Sequence, residues 1–137
     1  MIEVLIALVV LALGLLGFAL LQTLNLRYTQ SANYRTEAAN LAYDLLDQMR
    51  ANRLSAADYT GASFAVGAAS GANCTRPVAQ VTVADNIDRW QCQVVEALGE
   101  TASANVTFAN SVANVEITWG ERITGTPTSS YEVETRL

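Results

Sequence analysis

Residues 1–21 read MIEVLIALVVLALGLLGFALL, and the fold is organised around this stretch. Every residue from 4 to 21 is apolar or glycine, and Glu3 is the one charged residue. At about 1.5 Å of rise per residue, a helix through this stretch covers roughly 30 Å, enough to cross the hydrocarbon core of a bilayer. The pattern predicts a membrane-spanning helix. Glu3 then needs a partner, because an ionisable group in such a span costs on the order of 3 kcal/mol.

A cleaved secretory signal is the alternative interpretation of this stretch. The apolar run is longer than the core of an ordinary signal peptide, and no basic residue precedes it. No clear pattern of small residues for cleavage follows it either. We therefore favour a span that the protein keeps.

The composition favours one membrane span and one small globular domain. The chain has 137 residues, 51% of them hydrophobic, which leaves no room for a two-domain enzyme of ordinary size. It carries 13 acidic against 8 basic residues, a net charge of -5, so a general basic face for nucleic acid is not expected. It contains no histidine, which excludes Ser-His-Asp and Cys-His catalysis and histidine zinc sites. We expect neither an enzyme nor a cofactor.

Residues 22–53 continue the helix in amphipathic form to about Arg53. Apolar or small residues recur there with a period close to that of an α-helix, and no proline interrupts them. Asp47 and Arg50 form an i,i+3 pair on the polar side. The predicted stripe consists of Leu24, Tyr28, Ala32, Ala38, Ala39, Ala42, Leu45, Leu46 and Met49.

Residues 54–137 are predicted to form a small head domain. Residues 54–73 are rich in glycine and other small residues, and they are interpreted as a surface connection held down by Tyr59 and Phe64. A second helix is predicted over residues 84–98, with Gly99 as its stop.

Three strands are predicted after this second helix, over residues 105–109, 114–123 and 131–137. Apolar and polar residues alternate along them, which indicates an antiparallel sheet with one polar face. The connections between them are predicted over residues 110–113 and 124–130. The second half of the long helix is the expected cover of the apolar face.

Cys74 and Cys92 form an even pair in a chain that enters a membrane by its N-terminal segment. Such a pair suggests a disulfide in an oxidising compartment, worth roughly 3 kcal/mol in the chain-entropy estimate. Two buried free thiols are the alternative, because sequence alone does not fix pairing.

Other charged residues show no pattern typical of a binding site. The carboxylates near the second helix fit no metal-ligand spacing and are better explained as a solvated helix face. Three scattered arginines could contact an anionic partner, although such arginines are usually ordinary surface residues. These residues are Asp85, Asp88, Glu96 and Glu100, and Arg76, Arg89 and Arg122.

Two sets of residues resemble a known family. Residues 2–17, IEVLIALVVLALGLLG, resemble the N-terminal signature of type IV pilins and the related pseudopilins. A narrower resemblance, to the PilV-type minor pilins, involves RTEAANLAYDLLDQMRANR over residues 35–53 and VEITWGER over residues 115–122. A mid-domain cysteine and an aspartate–tryptophan element at Asp85, Asp88 and Trp90 extend it.

The resemblance implies an α+β, pilin-like lollipop, a long N-terminal helix packed on a small antiparallel sheet. Residues 1–21 would be the transmembrane and filament-core half of that helix, and residues 22–53 its amphipathic half. Glu3 would neutralise the N-terminal amine of a neighbouring subunit and so fix register during assembly. Gly14 and Gly17 would be soft points of the helix or places of close helix packing.

The resemblance also implies partners and a location. A prepilin peptidase would cut a basic leader after a glycine and methylate the new N-terminus. The sequence begins two residues before Glu3, so we expect the natural chain to start further upstream. Before assembly the chain would be a single-pass inner-membrane protein with a periplasmic head, in contact with the pilus assembly platform. Afterwards it would lie in a surface pilus beside other minor pilins and the major pilin.

The function implied is that of a minor pilin, a structural subunit that helps to initiate or cap a type IV pilus. A pseudopilin of a type II secretion system is the alternative within the family. A membrane-tethered periplasmic binding module that never polymerises is the alternative from another class.

Overall fold

The computed structural model describes residues 2–72, 74–76, 78, 81–121 and 128–137. It has an α+β fold in which a long N-terminal helix precedes a small antiparallel sheet of three strands, as the sequence predicted. The chain divides into a first compact unit that ends at Asn33 and a second, Tyr34–Leu137. The elements in chain order are α1 (Ile2–Ala51), a 3-10 helix (Arg53–Ala62), α2 (Val83–Leu98), β1 (Ser103–Ala109), β2 (Val112–Gly120) and β3 (Thr128–Arg136).

Helix α1 contains 50 residues, none of them proline, and ends two residues before the predicted end at Arg53. The stripe predicted for its second half is buried only from Ala38 onward. Its earlier members Leu24 and Tyr28 are exposed. The buried members follow the helical period on one face, and they are Ala38, Ala42, Leu45, Leu46 and Met49.

The sheet has the strand order β1-β2-β3, with both pairs antiparallel. Buried and half-buried residues alternate along β2, so one face of the strand points into the core. The buried stripe of α1 belongs to the same hydrophobic cluster as this face, which confirms that the second half of the helix covers the sheet. The buried sheet residues are Ala104 and Val106 of β1 and Ala113, Val115, Ile117 and Trp119 of β2.

Helix α2 has a capping residue at each end, Thr82 at its start and Gly99 at its end. The Thr82 hydroxyl accepts a hydrogen bond from the Asp85 N–H, and the Asp85 carboxylate accepts one from the Thr82 N–H, which makes a capping box. The helix stops at Gly99, whose φ of 93° suits glycine. The predicted apolar stripe at Ile87, Trp90, Val94 and Leu98 is buried.

Residues 53–62 form a 3-10 helix, which the interpretation of this region as a surface connection did not include. The predicted anchors are nevertheless in place. Tyr59 is fully buried, and its hydroxyl accepts a hydrogen bond from Asn52 Nδ2 at 2.9 Å. Phe64 packs against the core and pairs its backbone with Ala104 of β1. Ala56, Tyr59 and Ala62 are buried at intervals of three, the period of a 3-10 helix, so one face of the short helix packs into the core.

The strands differ from their predicted bounds. β1 and β2 each begin two residues earlier than predicted, because the buried face already includes Ala104 and Ala113. β3 begins three residues earlier, because its pairing with β2 continues over residues 128–130, where no apolar residue occurs. The hairpin between β1 and β2 turns on two residues, Asn110 and Ser111, rather than the predicted four. Residues 122–127, which were predicted as the end of the second strand and part of a loop, lie outside the described residues.

Candidate membrane and assembly segment

The first half of α1 is apolar on every side and exposed. From Ile2 to Leu21 it carries fourteen large apolar side chains, each between 57% and 75% exposed. Transfer of that many side chains out of water is worth on the order of 20 kcal/mol, which exceeds the stability of a typical domain. A segment of this kind needs a nonpolar surrounding that the described chain does not supply.

This half of α1 is a candidate membrane span. Within the described residues, α1 is the one helix long and apolar enough to cross a membrane, and its apolar part is not buried. A core helix of a soluble protein would be buried, so that explanation does not apply to this segment. Its place near the N-terminus is also compatible with a signal sequence.

Glu3 lies in the first turn of α1 and is exposed. A carboxylate there interacts favourably with the positive end of the helix dipole, which is an ordinary role for an acidic residue. Among the residues that the structure describes, Glu3 has no ion-pair partner. A cation for Glu3 therefore has to come from outside the described residues or from another molecule.

Gly14 and Gly17 lie three residues apart on α1, in the middle of the apolar half. A Cβ atom at either position would meet nothing within 4 Å, and the helix runs through both without a break. Neither glycine is required by packing within the described chain. Three residues apart, they share one side of the helix, where a second helix could approach closely.

The predicted disulfide is formed. Cys74 and Cys92 are joined by an S–S bond of 2.01 Å with their Cα atoms 5.4 Å apart, so the alternative of two free thiols is wrong. Cys92 lies on α2, and the bond ties the segment before α2 to that helix. One turn further along α2, Gly71 approaches the backbone so closely that a Cβ atom would lie 2.7 Å from the Glu96 nitrogen. The disulfide and Gly71 thus fix the same segment at two points.

The four carboxylates around α2 do not gather into a site. Asp85 belongs to the capping box, where hydrogen bonds from the Thr82 hydroxyl and N–H lower the pKa of its carboxyl group. Asp88, Glu96 and Glu100 are exposed. Within the described residues, no group of three or more potential metal ligands occurs.

Two of the three scattered arginines lie within the described residues. Arg76 is exposed and Arg89 is half-buried. Neither forms an ion pair with a described residue. Arg122 lies outside the described residues.

The second unit contains three polar contacts that could not be predicted from the sequence. Trp90 Nε1 donates to the Leu41 carbonyl oxygen at 2.8 Å and ties α2 to α1. Arg50, besides its predicted pair with Asp47 at 2.8 Å, donates to Thr135 Oγ1 of β3. In the sequence, these hydrogen bonds are indicated only by a tryptophan on an apolar stripe and an arginine near a helix end. Neither position predicts which group accepts the hydrogen bond. The third contact joins Ser63 and Val106.

Comparisons with protein-family models, curated proteins and solved structures find no match for this chain.

Proposed function

We propose that this chain is a minor pilin, a structural subunit that helps to initiate or cap the assembly of a type IV pilus. The observation that carries the proposal is the continuity of α1. Exposed apolar residues from Ile2 to Leu21 lie on the same unbroken helix as the buried stripe that covers the sheet. In the proposed role, the bilayer surrounds the apolar half before assembly and the helices of neighbouring subunits surround it afterwards.

Glu3 sets the register of the subunit in this mechanism. Its carboxylate neutralises the N-terminal amine of an adjacent subunit, because a carboxylate in apolar surroundings is tolerable when a neighbour brings a cation to it. The lack of an ion-pair partner within the described chain supports this role. The open side at Gly14 and Gly17 lets a neighbouring helix approach.

The proposed location is the inner membrane before assembly, with the head in the periplasm, and the surface pilus after assembly. The Cys74–Cys92 bond supports an oxidising compartment for the head. The proposed partners are a prepilin peptidase, the inner-membrane assembly platform, the major pilin and other minor pilins. The role is structural, without a catalytic step or a cofactor.

The test compares Glu3→Gln with the matched variant Glu37→Gln in the native host. Both remove one exposed carboxylate from α1, but only the first lies in the apolar half. Sheared surface fibres and the inner-membrane fraction are searched by mass spectrometry for the tryptic peptide 90–122 and for the N-terminal peptide. We expect the wild type and E37Q in fibres, with a methylated N-terminus, and E3Q only in the membrane.

The two alternatives give different results in the same experiment. Wild-type protein that is processed but found only in the membrane fraction, in cells that still make fibres, indicates a secretion pseudopilin. An unprocessed N-terminus in that fraction indicates a tethered module. Normal entry of E3Q into fibres would refute the register mechanism while leaving the protein a pilus subunit.

A further inference from the structure

The two edges of the sheet differ in whether another segment of the described chain pairs with them. At the β1 edge, the Phe64 N–H and C=O exchange hydrogen bonds with Ala104 at 2.9 and 3.0 Å. The Ser63 hydroxyl accepts from the Val106 N–H and donates to its carbonyl oxygen. Residues 63–64 therefore act as a short added strand that closes this edge.

The β3 edge has no such cover within the described residues. The Leu137 N–H donates to the Ser111 carbonyl oxygen at 2.8 Å, in register with the pairing of β2 and β3. Because backbone groups in an antiparallel pair alternate between facing the partner strand and facing away, Ser130, Glu132 and Glu134 direct their N–H and C=O groups outward. No described residue bonds these groups.

The charge of the side chains on β3 indicates which kind of strand could pair with this edge. Glu132, Glu134 and Arg136 are exposed on the outer face of β3, two acidic side chains against one basic, and Glu132 lies directly opposite Glu116 of β2. Like charges placed opposite each other on neighbouring strands are unfavourable. Among the described side chains, Asn114 is the one that donates a hydrogen bond to these glutamates, from Nδ2 to Glu132 Oε1 at 2.7 Å. A basic side chain from an added strand would relieve this repulsion.

The inner side of the same edge is apolar. Tyr131 and Val133 pack at the margin of the core, and Tyr43 of α1 is 49% exposed beside them. The pKa of Tyr131 is raised, chiefly by a hydrogen bond with the Tyr43 hydroxyl. The inward side chains of an added strand would cover these rings.

We propose that the β3 edge of the head binds an extended strand of another protein, in which basic residues alternate with apolar ones. A second copy of this chain is the less favourable occupant, because β3 brings two glutamates and one basic residue, Arg136. Antiparallel pairing of two β3 strands about Val133 would place Glu132 opposite Glu134, and pairing about Glu134 would pair Glu132 with Arg136 but oppose the two Glu134 residues. β1 and β2 contain no basic residue. This binding activity belongs to the head and does not depend on polymerisation.

The test uses the full chain in neutral detergent micelles and a fluorescent peptide of alternating lysine and valine, with binding measured by anisotropy. Ser130→Pro removes one outward N–H but no ladder bond or carboxylate, and Ser130→Ala is its matched control. We expect S130P to bind the peptide about tenfold more weakly than S130A does. This is the loss of affinity expected when one backbone hydrogen bond between the edge and the peptide is removed.

Charge is tested by Glu132→Lys with Glu134→Lys against Asp58→Lys with Glu100→Lys. The second pair is also exposed and changes the net charge equally, but it lies away from the edge. We expect a loss of about tenfold or more for the first pair only, and a smaller difference at high salt. Hydrogen exchange should show that the peptide protects the amides of residues 130, 132 and 134.

Three results would overturn the proposal. One is equal binding by S130P and S130A. Another is equal binding of a peptide with the same lysines and valines in two blocks. The third is protection of these three amides by protein concentration alone, without peptide, which would assign the edge to a second copy.

Discussion

Gly71 is a position of the head at which a side chain would collide with the backbone of α2. A Cβ atom there would meet backbone atoms of α2, the Glu96 nitrogen at 2.7 Å and the Val95 carbonyl carbon at 3.0 Å. Because backbone cannot rotate away, we expect Gly71→Ala to lower the free energy of unfolding by about 1 to 3 kcal/mol. Thermal or urea unfolding followed by the fluorescence of Trp90 and Trp119 measures the effect.

Gly61→Ala is the matched control for this prediction. A Cβ atom at Gly61 would lie 3.8 Å from Ile87 Cδ1, an ordinary contact. This variant should leave stability unchanged or raise it slightly, since alanine restricts the unfolded chain. Equal losses in G61A and G71A would show that the close approach at Gly71 is not what limits substitution.

The lowered pKa of Asp85 predicts a pH-dependent contribution to the stability of α2. A carboxyl group whose pKa is lower in the folded chain contributes stability that is present above its unfolded value, about 4. That contribution is lost as the pH falls through the folded value. We expect Asp85→Asn to be less stable than wild type at neutral pH and the difference to shrink below about pH 4.

Unfolding of wild type, D85N and Asp88→Asn across the acidic range measures this effect. Asp88 lies on α2 outside the capping box, so D88N should keep the acid dependence of the wild type. A difference between wild type and D85N that stays constant from neutral to acidic pH would contradict a role of the ionised carboxylate.

At the scale of elements, the β1–β2 turn contains one residue that suits it poorly, Ser111. Asn110 and Ser111 have φ values of 53° and 61°, the left-handed region in which glycine is favoured and asparagine is tolerated. We expect Ser111→Gly to stabilise the head by about 1 kcal/mol, because it removes the contact between the serine Cβ and the backbone. Unfolding monitored by tryptophan fluorescence tests this.

Asn110→Gly is the comparison for the turn. Asparagine already tolerates the left-handed conformation, so its replacement should raise stability by less than S111G does. A larger gain from N110G than from S111G would contradict this account of strain in the turn.

Periodicity predicted the elements well where they bury a regular stripe and poorly where they do not. Helix α2 was predicted within one residue at its start, because Ile87, Trp90, Val94 and Leu98 follow the helical period and Gly99 ends it. The 3-10 helix was missed because its buried face, Ala56, Tyr59 and Ala62, repeats every three residues and consists mostly of alanine, so the α-helical period does not reveal it. The starts of β1 and β2 were misjudged because small alanines mark the buried face there, and the start of β3 was misjudged because its pairing extends beyond its apolar residues.

The candidate site was predictable only in part, for a physical reason. Residues 1–21 are so apolar that a helix in a nonpolar surrounding was the simplest expectation, and the described helix α1 fits it from Ile2 onward. The partner of Glu3 was not predictable, because no described residue of the chain pairs with it. The open edge at β3 depends on which backbone groups face outward, a property of the assembled sheet rather than of its sequence.

At the scale of the whole molecule, the hydrophobic core is confined to the second unit. Every residue of the core cluster lies at or after Ala38, and the second unit begins at Tyr34. We therefore expect a chain shortened to residues 34–137 to be soluble without detergent and to unfold within a few degrees of the full chain. Circular dichroism and tryptophan fluorescence during heating check this, with the full chain in detergent as the reference.

A chain shortened to residues 44–137 is the control for this truncation. It loses Ala38 and Ala42, both fully buried, and the Leu41 carbonyl that accepts the hydrogen bond from Trp90. The loss uncovers part of the sheet and leaves the Trp90 N–H without its acceptor, so this fragment should be unstable or aggregate. If the 34–137 fragment behaves like the 44–137 fragment, then the head depends on the apolar half of α1, and the division of the chain into a separately folding head and a helical anchor is wrong.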